Sequence, residues 1–184
     1  MGNRSFLAVI AALAVIALLA FGVFKTEPSL AIGDPAPDAA LPVLGQSGEA
    51  AIADYAPNWV LVNFWASWCG PCESESPDIQ SFLEDHEGDG LVVLGINSRD
   101  ATDSALAFID EYNLTWEMVR DGDGKRMEEY GIPGLPESFL VDPEGDLAAI
   151  CRGPLTRRQL DQIIGPLLRE AQPAATNVPP FCEV

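Results

Sequence analysis

Trp59-Val60-Leu61-Val62-Asn63-Phe64-Trp65 runs through Ala66-Ser67 into Trp68-Cys69-Gly70-Pro71-Cys72, and this junction decides how the chain is read. Its first part is a short apolar run, the pattern of a central strand covered on both faces. Its second part sets two cysteines, two residues apart, where the strand ends and a helix begins. At such a corner the unpaired backbone N–H groups and the positive end of the helix dipole favour a thiolate on Cys69. That is the condition for a nucleophilic cysteine. Cys72, one helical turn further on, can close a small disulfide ring with it. Gly70 and Pro71 suit the helix opening, because a proline near the first helical position gives up an N–H that has no partner there.

Ligand counting argues against a metal. Zinc needs a second pair of Cys or His ligands at comparable spacing. The chain has one histidine, His86, and its other cysteines, Cys151 and Cys182, stand apart. A redox dithiol is the reading that remains, and it calls for no cofactor. A peroxidatic cysteine is disfavoured too, since Ala66 occupies the Thr/Ser place of the Pro-x-x-x-Thr/Ser-x-x-Cys pattern.

Residues 62–72 resemble the active-site segment of the thioredoxin superfamily. About sixty residues on, Tyr130-Gly131-Ile132-Pro133-Gly134-Leu135-Pro136-Glu137-Ser138-Phe139-Leu140-Val141-Asp142 resembles the segment carrying that superfamily's cis-proline. The match makes Pro136 that proline and places it against the dithiol. Asn63 stands where thioredoxins bear a buried aspartate, and Gly95 stands where they bear its lysine partner. Glu75 instead matches an acidic residue of the membrane-anchored TlpA/ResA/CcmG (DsbE) group, as do Gly33-Asp34-Pro35-Ala36-Pro37 and residues 131–142. The resemblance implies that Cys69 attacks, Cys72 resolves and Glu75 serves proton transfer. It further implies that Leu135-Pro136, with Trp68, Gly70, Pro71 and Glu137, holds the partner strand.

Spacing adds its own argument for Glu75. Cys72 and Glu75 lie three apart on the expected helix and share a face. A partly buried carboxylate there would have a raised pKa and could move protons. The alternative is a solvated first-turn glutamate complementing the helix dipole, which is how Glu73 reads.

Residues 6–24 form nineteen uncharged, almost wholly apolar residues, enough to cross a hydrocarbon core. Arg4 before the run and Lys25 with Glu27 after it favour a cytoplasmic N-terminus and an exported body. A cleaved signal peptide ending at Ser29-Leu30-Ala31 is the rival reading, although the run exceeds the usual signal core. The division expected is an anchor at 1–25, a proline-stiffened tether at 26–40, a thioredoxin-like domain at 41–171 and an irregular tail at 172–184.

Within the body, apolar runs at 59–65 and 91–97 read as central strands, and 137–141 with 147–151 as a hairpin around Pro143-Glu144-Gly145-Asp146. Helical patterns fit 72–84, 102–112, 125–130 and 156–170. The order βαβ followed by ββα predicts an α/β fold, a central mixed sheet covered by helices on both faces. The formal charge of −18, with twenty-eight acids against ten bases, leaves no basic stripe for nucleic acid. Asp121-Gly122-Asp123-Gly124 lacks the remaining ligands of a calcium loop and reads as a turn capping the next helix. His86, in a charged stretch, reads as solvated.

An oxidising compartment favours bonding of an even, unassigned cysteine pair, so Cys151–Cys182 is predicted. A buried Cys151 with Cys182 free, or bridging two chains, is the alternative. The resulting expectation is a thiol–disulfide oxidoreductase tethered to the bacterial inner membrane, its catalytic domain on the periplasmic side. By resemblance its partner is apocytochrome c and its reductant a membrane thiol-electron carrier. An oxidant or general reductant of exported proteins is the rival within the class, and a non-catalytic thioredoxin-like assembly module the rival outside it.

Overall fold

A computed structural model describes residues 30–169 and 181–184. Residues 6–24, read as a membrane anchor, lie outside them, and among the described residues no helix is long and apolar enough to cross a membrane. The described chain opens with a small hairpin of β1 (Leu41–Pro42) and β2 (Glu49–Ala50). Then follow β3 (Trp59–Trp65), α1 (Gly70–His86), β4 (Leu91–Ser98), α2 (Thr102–Glu111), β5 (Glu117–Asp121) and α3 (Lys125–Glu129). A hairpin of β6 (Glu137–Val141) and β7 (Leu147–Arg152) leads to a helical run over 157–168. That run is α4 (Arg157–Gln159), a π-helical turn (Leu160–Ile164) and α5 (Gly165–Leu168); β8 (Cys182–Glu183) follows.

Six strands form one mixed sheet in the order β5-β4-β3-β6-β7-β8. β3, β4 and β5 are parallel, while β6, β7 and β8 add antiparallel. β3 lies in the middle because it can bury both faces: Val60, Leu61, Val62, Phe64 and Trp65 are all nearly inaccessible. Side chains of this size contribute about 1.5–3 kcal/mol each on burial. Leu61 and Trp65 face one way, with Ile79 and Phe82 of α1, Phe108 of α2, and Leu160 and Ile163 of the helical run. Val60, Val62 and Phe64 face the other, with Met127 of α3, Tyr130 and Ile132. Right-handed crossovers in one direction along the sheet put α1 and α2 on the same face.

Four departures from the sequence reading have physical causes. β5 is an additional strand, hidden because Glu117-Met118-Val119-Arg120-Asp121 carries only two apolar residues and gains its order by pairing with Leu94–Ser98 of β4. The second face is covered by one short α-helix and a largely extended segment that ends in a single 3-10 turn (Ile52–Tyr55), rather than by α-helices throughout. In that segment Gly33 N–H donates to Leu147 O at 2.8 Å, Leu147 N–H to Asp34 O at 2.9 Å, and Asp38 accepts from Ile52 and Ala53 N–H. The later part of the stretch expected as a tether is thus fastened to the domain. The end of the tail, expected to be irregular, forms β8 against β7, with Cys182 opposite Cys151. His86 is also not solvated: its ring lies 4.3 Å from that of Phe82 and its Nδ1 is 2.7 Å from Asp89.

Cys151 and Cys182 are bonded, closing a loop of thirty-one residues on β7, which would otherwise be an edge strand. Loop-closure entropy for that length is worth about 3 to 4 kcal/mol. Replacing both cysteines by alanine should lower unfolding free energy by about that amount in urea titrations of the oxidised protein. An unchanged midpoint would show that the bond does not constrain the unfolded chain.

Candidate active site

β3 delivers the dithiol. The strand ends at Trp65, Cys69 N–H closes a turn onto Ala66 O at 3.1 Å, and α1 begins at Gly70. Cys69 and Cys72 are joined as a disulfide. The Cys72 backbone N–H also points at Cys69 Sγ, 3.3 Å away, and is a donor ready to stabilise a thiolate there. Cys72 is wholly buried and Cys69 is 4% exposed, so a partner reaches the pair at Cys69. Trp68 beside it is the most exposed large apolar side chain among the described residues, at 62%. Gly70 and Pro71, between the two cysteines in sequence, form the first residues of α1.

Glu75 lies one turn past Cys72, and its side chain points into the protein, 2% exposed. Its Oε1 accepts from Asn63 Nδ2 at 2.8 Å and its Oε2 from the Leu155 N–H at 2.9 Å. Asn63 Nδ2 reaches Ser138 Oγ at 3.1 Å as well. Burial pushes the Glu75 carboxyl from 4.5 up to about 7, against the pull of the two hydrogen bonds. An ionised carboxylate would be costly there without those donors. Ser138 and the Leu155 amide were not foreseen, although Ser138 is recoverable from pairing, since it stands directly opposite Asn63.

Among the described residues no cation enters this cluster. Gly95 pairs with Asn63 across β3 and β4, and the room a side chain would need is taken. A Cβ on Gly95 would lie 2.1 Å from Met118 Sδ and 3.0 Å from the indole nitrogens of both Trp65 and Trp116. The thioredoxin arrangement of a strand aspartate with a neighbouring lysine is therefore replaced by a helix glutamate held by a strand asparagine.

The other wall of the site enters through β6. Pairing of Phe64 with Glu137 brings the preceding Leu135-Pro136 segment beside the exit of β3. The Leu135–Pro136 peptide bond is cis, and Pro136 O accepts from Gly153 N–H at 3.0 Å. Leu135 packs partly buried between the two cores. Glu137 is not brought to the Glu75 cluster. Side chains alternate along β6, so it faces the opposite side of the sheet from Ser138, where Arg152 Nη1 donates to it at 2.9 Å. Burial raises its carboxyl to about 7 even with Arg152 drawing it down. Asp121 is occupied as a cap, accepting from the N–H groups of Arg126 and Met127 at the start of α3.

A thioredoxin-like sheet with a dithiol at the head of its first long helix defines a thiol–disulfide oxidoreductase. The chain belongs to the AhpC/TSA family, whose model matches residues 32–150. Within it, the chain is 34% identical over 143 residues to the thiol:disulfide interchange protein HelX of Rhodobacter capsulatus, covering 77% of this chain and 79% of that one. It is 32% identical over 165 residues to the DsbE of Allochromatium vinosum, covering 87% and 90%. Against ResA of Geobacillus thermodenitrificans the identity is 30% over 139 residues, covering 76% and 79%. Among solved structures, a DsbE thiol:disulfide interchange protein from Chlorobium tepidum superposes with a TM-score of 0.71 at 32% identity, over 76% of this chain and 99% of that one. The activity is accordingly thiol–disulfide exchange of the DsbE/ResA type.

The raised Glu75 pKa has a consequence for stability. Between pH 4.5 and about 7 the folded protein holds a proton on Glu75 that the unfolded chain has released. Stability therefore falls as pH climbs through that window and levels off above it, by at most roughly 3 kcal/mol. Glu75→Gln should remove this component, so that the stability difference between wild type and variant, from urea midpoints, changes steadily between pH 5 and 7. Parallel profiles would mean that Glu75 ionises as an ordinary surface carboxylate does.

Proposed function

We propose that this oxidoreductase works in the reducing direction on exported proteins, with apocytochrome c as its partner. Residues 6–24 anchor it in the bacterial inner membrane with the domain on the periplasmic side, and a membrane thiol-electron carrier restores its dithiol. The Cys69 thiolate attacks one sulfur of the partner disulfide, forming a mixed disulfide and releasing the partner's other sulfur as a thiolate, which is protonated. Cys72 gives its proton to Glu75 and attacks Cys69 Sγ. The Cys69–Cys72 disulfide forms, the second partner sulfur leaves and takes up a proton, and the partner has gained two electrons and two protons. The carrier then reduces Cys69–Cys72 by the same exchange in reverse.

The observation that carries this reading is the buried Glu75, on the same helix face as Cys72 and with a pKa near neutrality. A carboxyl poised near the working pH suits proton exchange with a resolving thiol. Trp68 and Leu135-Pro136 form the two sides between which a partner strand lies, next to the accessible Cys69. The apolar run at 6–24 and the family of HelX, DsbE and ResA support the location and the partner.

Cys72→Ser in the full chain should strand a mixed disulfide on Cys69, recoverable from cells under acid quench and carrying a cytochrome c cysteine peptide. Cys69→Ser should trap nothing. Complexes formed through Cys72 would reverse the two roles, and trapped partners without haem-attachment cysteines would redirect the substrate assignment.

A further inference from the structure

The turn after β4 grips the dithiol loop, and none of its residues were singled out in the sequence. The Asp100 carboxylate accepts four hydrogen bonds. Ser67 N–H lies at 2.6 Å and Ser67 Oγ at 2.8 Å, with Asn97 Nδ2 at 2.9 Å and Ala101 N–H at 2.8 Å. Ser67 stands two residues before Cys69. The next residue, Trp68, donates its indole N–H to Arg99 O at 3.2 Å. Both residues leading into the dithiol are thus tied to one dipeptide.

That dipeptide is itself braced. Arg99 has φ 51°, a left-handed conformation that a residue with a side chain keeps only where its surroundings impose it. Its N–H donates to Asp121 O at 3.1 Å, its guanidinium to Glu128 at 2.7 Å, and its stem packs over Gly124, where a Cβ would lie 2.1 Å from Arg99 Nε. Asp121 in turn takes Ser98 Oγ at 2.9 Å and caps α3. The brace runs from the dithiol loop to the helix that leads into the Leu135-Pro136 segment.

We propose that Asp100 is a positioning residue of the exchange reaction: through Ser67 it holds Cys69 Sγ at the head of α1 and so sets how strongly the Cys69 thiolate is stabilised. This rests on Cys69 being the attacking thiol. Stabilisation by the Cys72 N–H and the helix end falls off within the first turn, so it depends on the sulfur being kept there. Burial tends to raise the Asp100 carboxyl, but the donors from Ser67, Asn97 and Ala101 outweigh it and keep the group ionised below its ordinary range. A negative charge acting only through space would raise the Cys69 pKa by repulsion, and its removal would lower it. Positioning predicts the opposite sign.

The test uses the reduced full-length protein with Asp100→Ala and Ser67→Ala. The pH dependence of iodoacetamide labelling is resolved by peptide, and the potential of the Cys69–Cys72 couple is measured in glutathione buffers. In Asp100→Ala the Cys69 pKa should rise by about one unit. Below both pKa values the thiolate fraction then falls about tenfold, and labelling slows about three- to fourfold because a more basic thiolate is intrinsically more reactive. The couple should become more reducing, its reduced form having lost stabilisation. Ser67→Ala should move both readouts the same way by less, since the backbone N–H bond to Asp100 remains, and it decides the matter if Asp100→Ala fails to fold. A Cys69 pKa and potential that stay unchanged, or shift the other way, in variants with native circular dichroism overturn the proposal. First labelling of Cys72 would instead overturn the assignment of Cys69, and the potential alone would then judge Asp100.

Discussion

Asn63 donates to Glu75 across the gap between β3 and α1, and the arrangement of the site follows from the need to satisfy that buried carboxyl. The amide cannot do it alone, so the chain past β7 contributes the Leu155 N–H, while Ser138 on β6 takes part in the same cluster. Four segments distant in sequence are thereby drawn to one point behind the dithiol. A buried polar group with one partner missing costs about 1–3 kcal/mol, more when charged. Each of these segments is therefore held to its place by the others. The Gly153 contact to Pro136 O extends the same constraint to the cis-proline segment, only two residues from Leu155.

The absence of a cation from the cluster gives the carboxyl its chemistry. A lysine opposite Asn63 would hold Glu75 ionised and depress its pKa. Gly95 leaves no such group, and Met118 with two tryptophan rings fills the space. Burial is then the largest influence on Glu75, and neutral donors offset it only in part. A carboxyl at that balance point can both accept and return a proton in neutral surroundings, which a fully solvated glutamate does far less well.

The periphery has the task of closing the sheet. An unpaired edge strand offers a row of hydrogen-bonding groups to any other chain. On one side β5 is met by the β1 segment, through Leu44 N–H to Met118 O and the Val43–Val119 bridge. On the other, β8 pairs with β7 and is fixed there by Cys151–Cys182. The same disulfide stands on the strand whose Cys151 lies opposite Ser138, so it also stiffens the wall behind the Glu75 cluster.

Local pattern was enough to reveal whatever depends on residues adjacent in the chain. The apolar run 59–65, the two cysteines at its end, the hairpin 137–152 and the helices at 70–86, 102–111 and 125–129 all have signatures within a few residues. The family resemblance added Pro136 and, together with the one-turn spacing from Cys72, singled out Glu75. Tertiary structure alone decided what depends on pairing across long separations. β5 carries too few apolar residues to announce itself and forms because β4 offers it a parallel partner. The resemblance put Glu137 among the residues that hold a partner strand, and only the sheet decides that its side chain lies on the face away from Ser138, against Arg152. Ser138, the Leu155 amide and Asp100 become visible only once the sheet sets them beside Asn63, Glu75 and Ser67. Those contacts span between 33 and 80 residues of chain, and no short-range pattern encodes them.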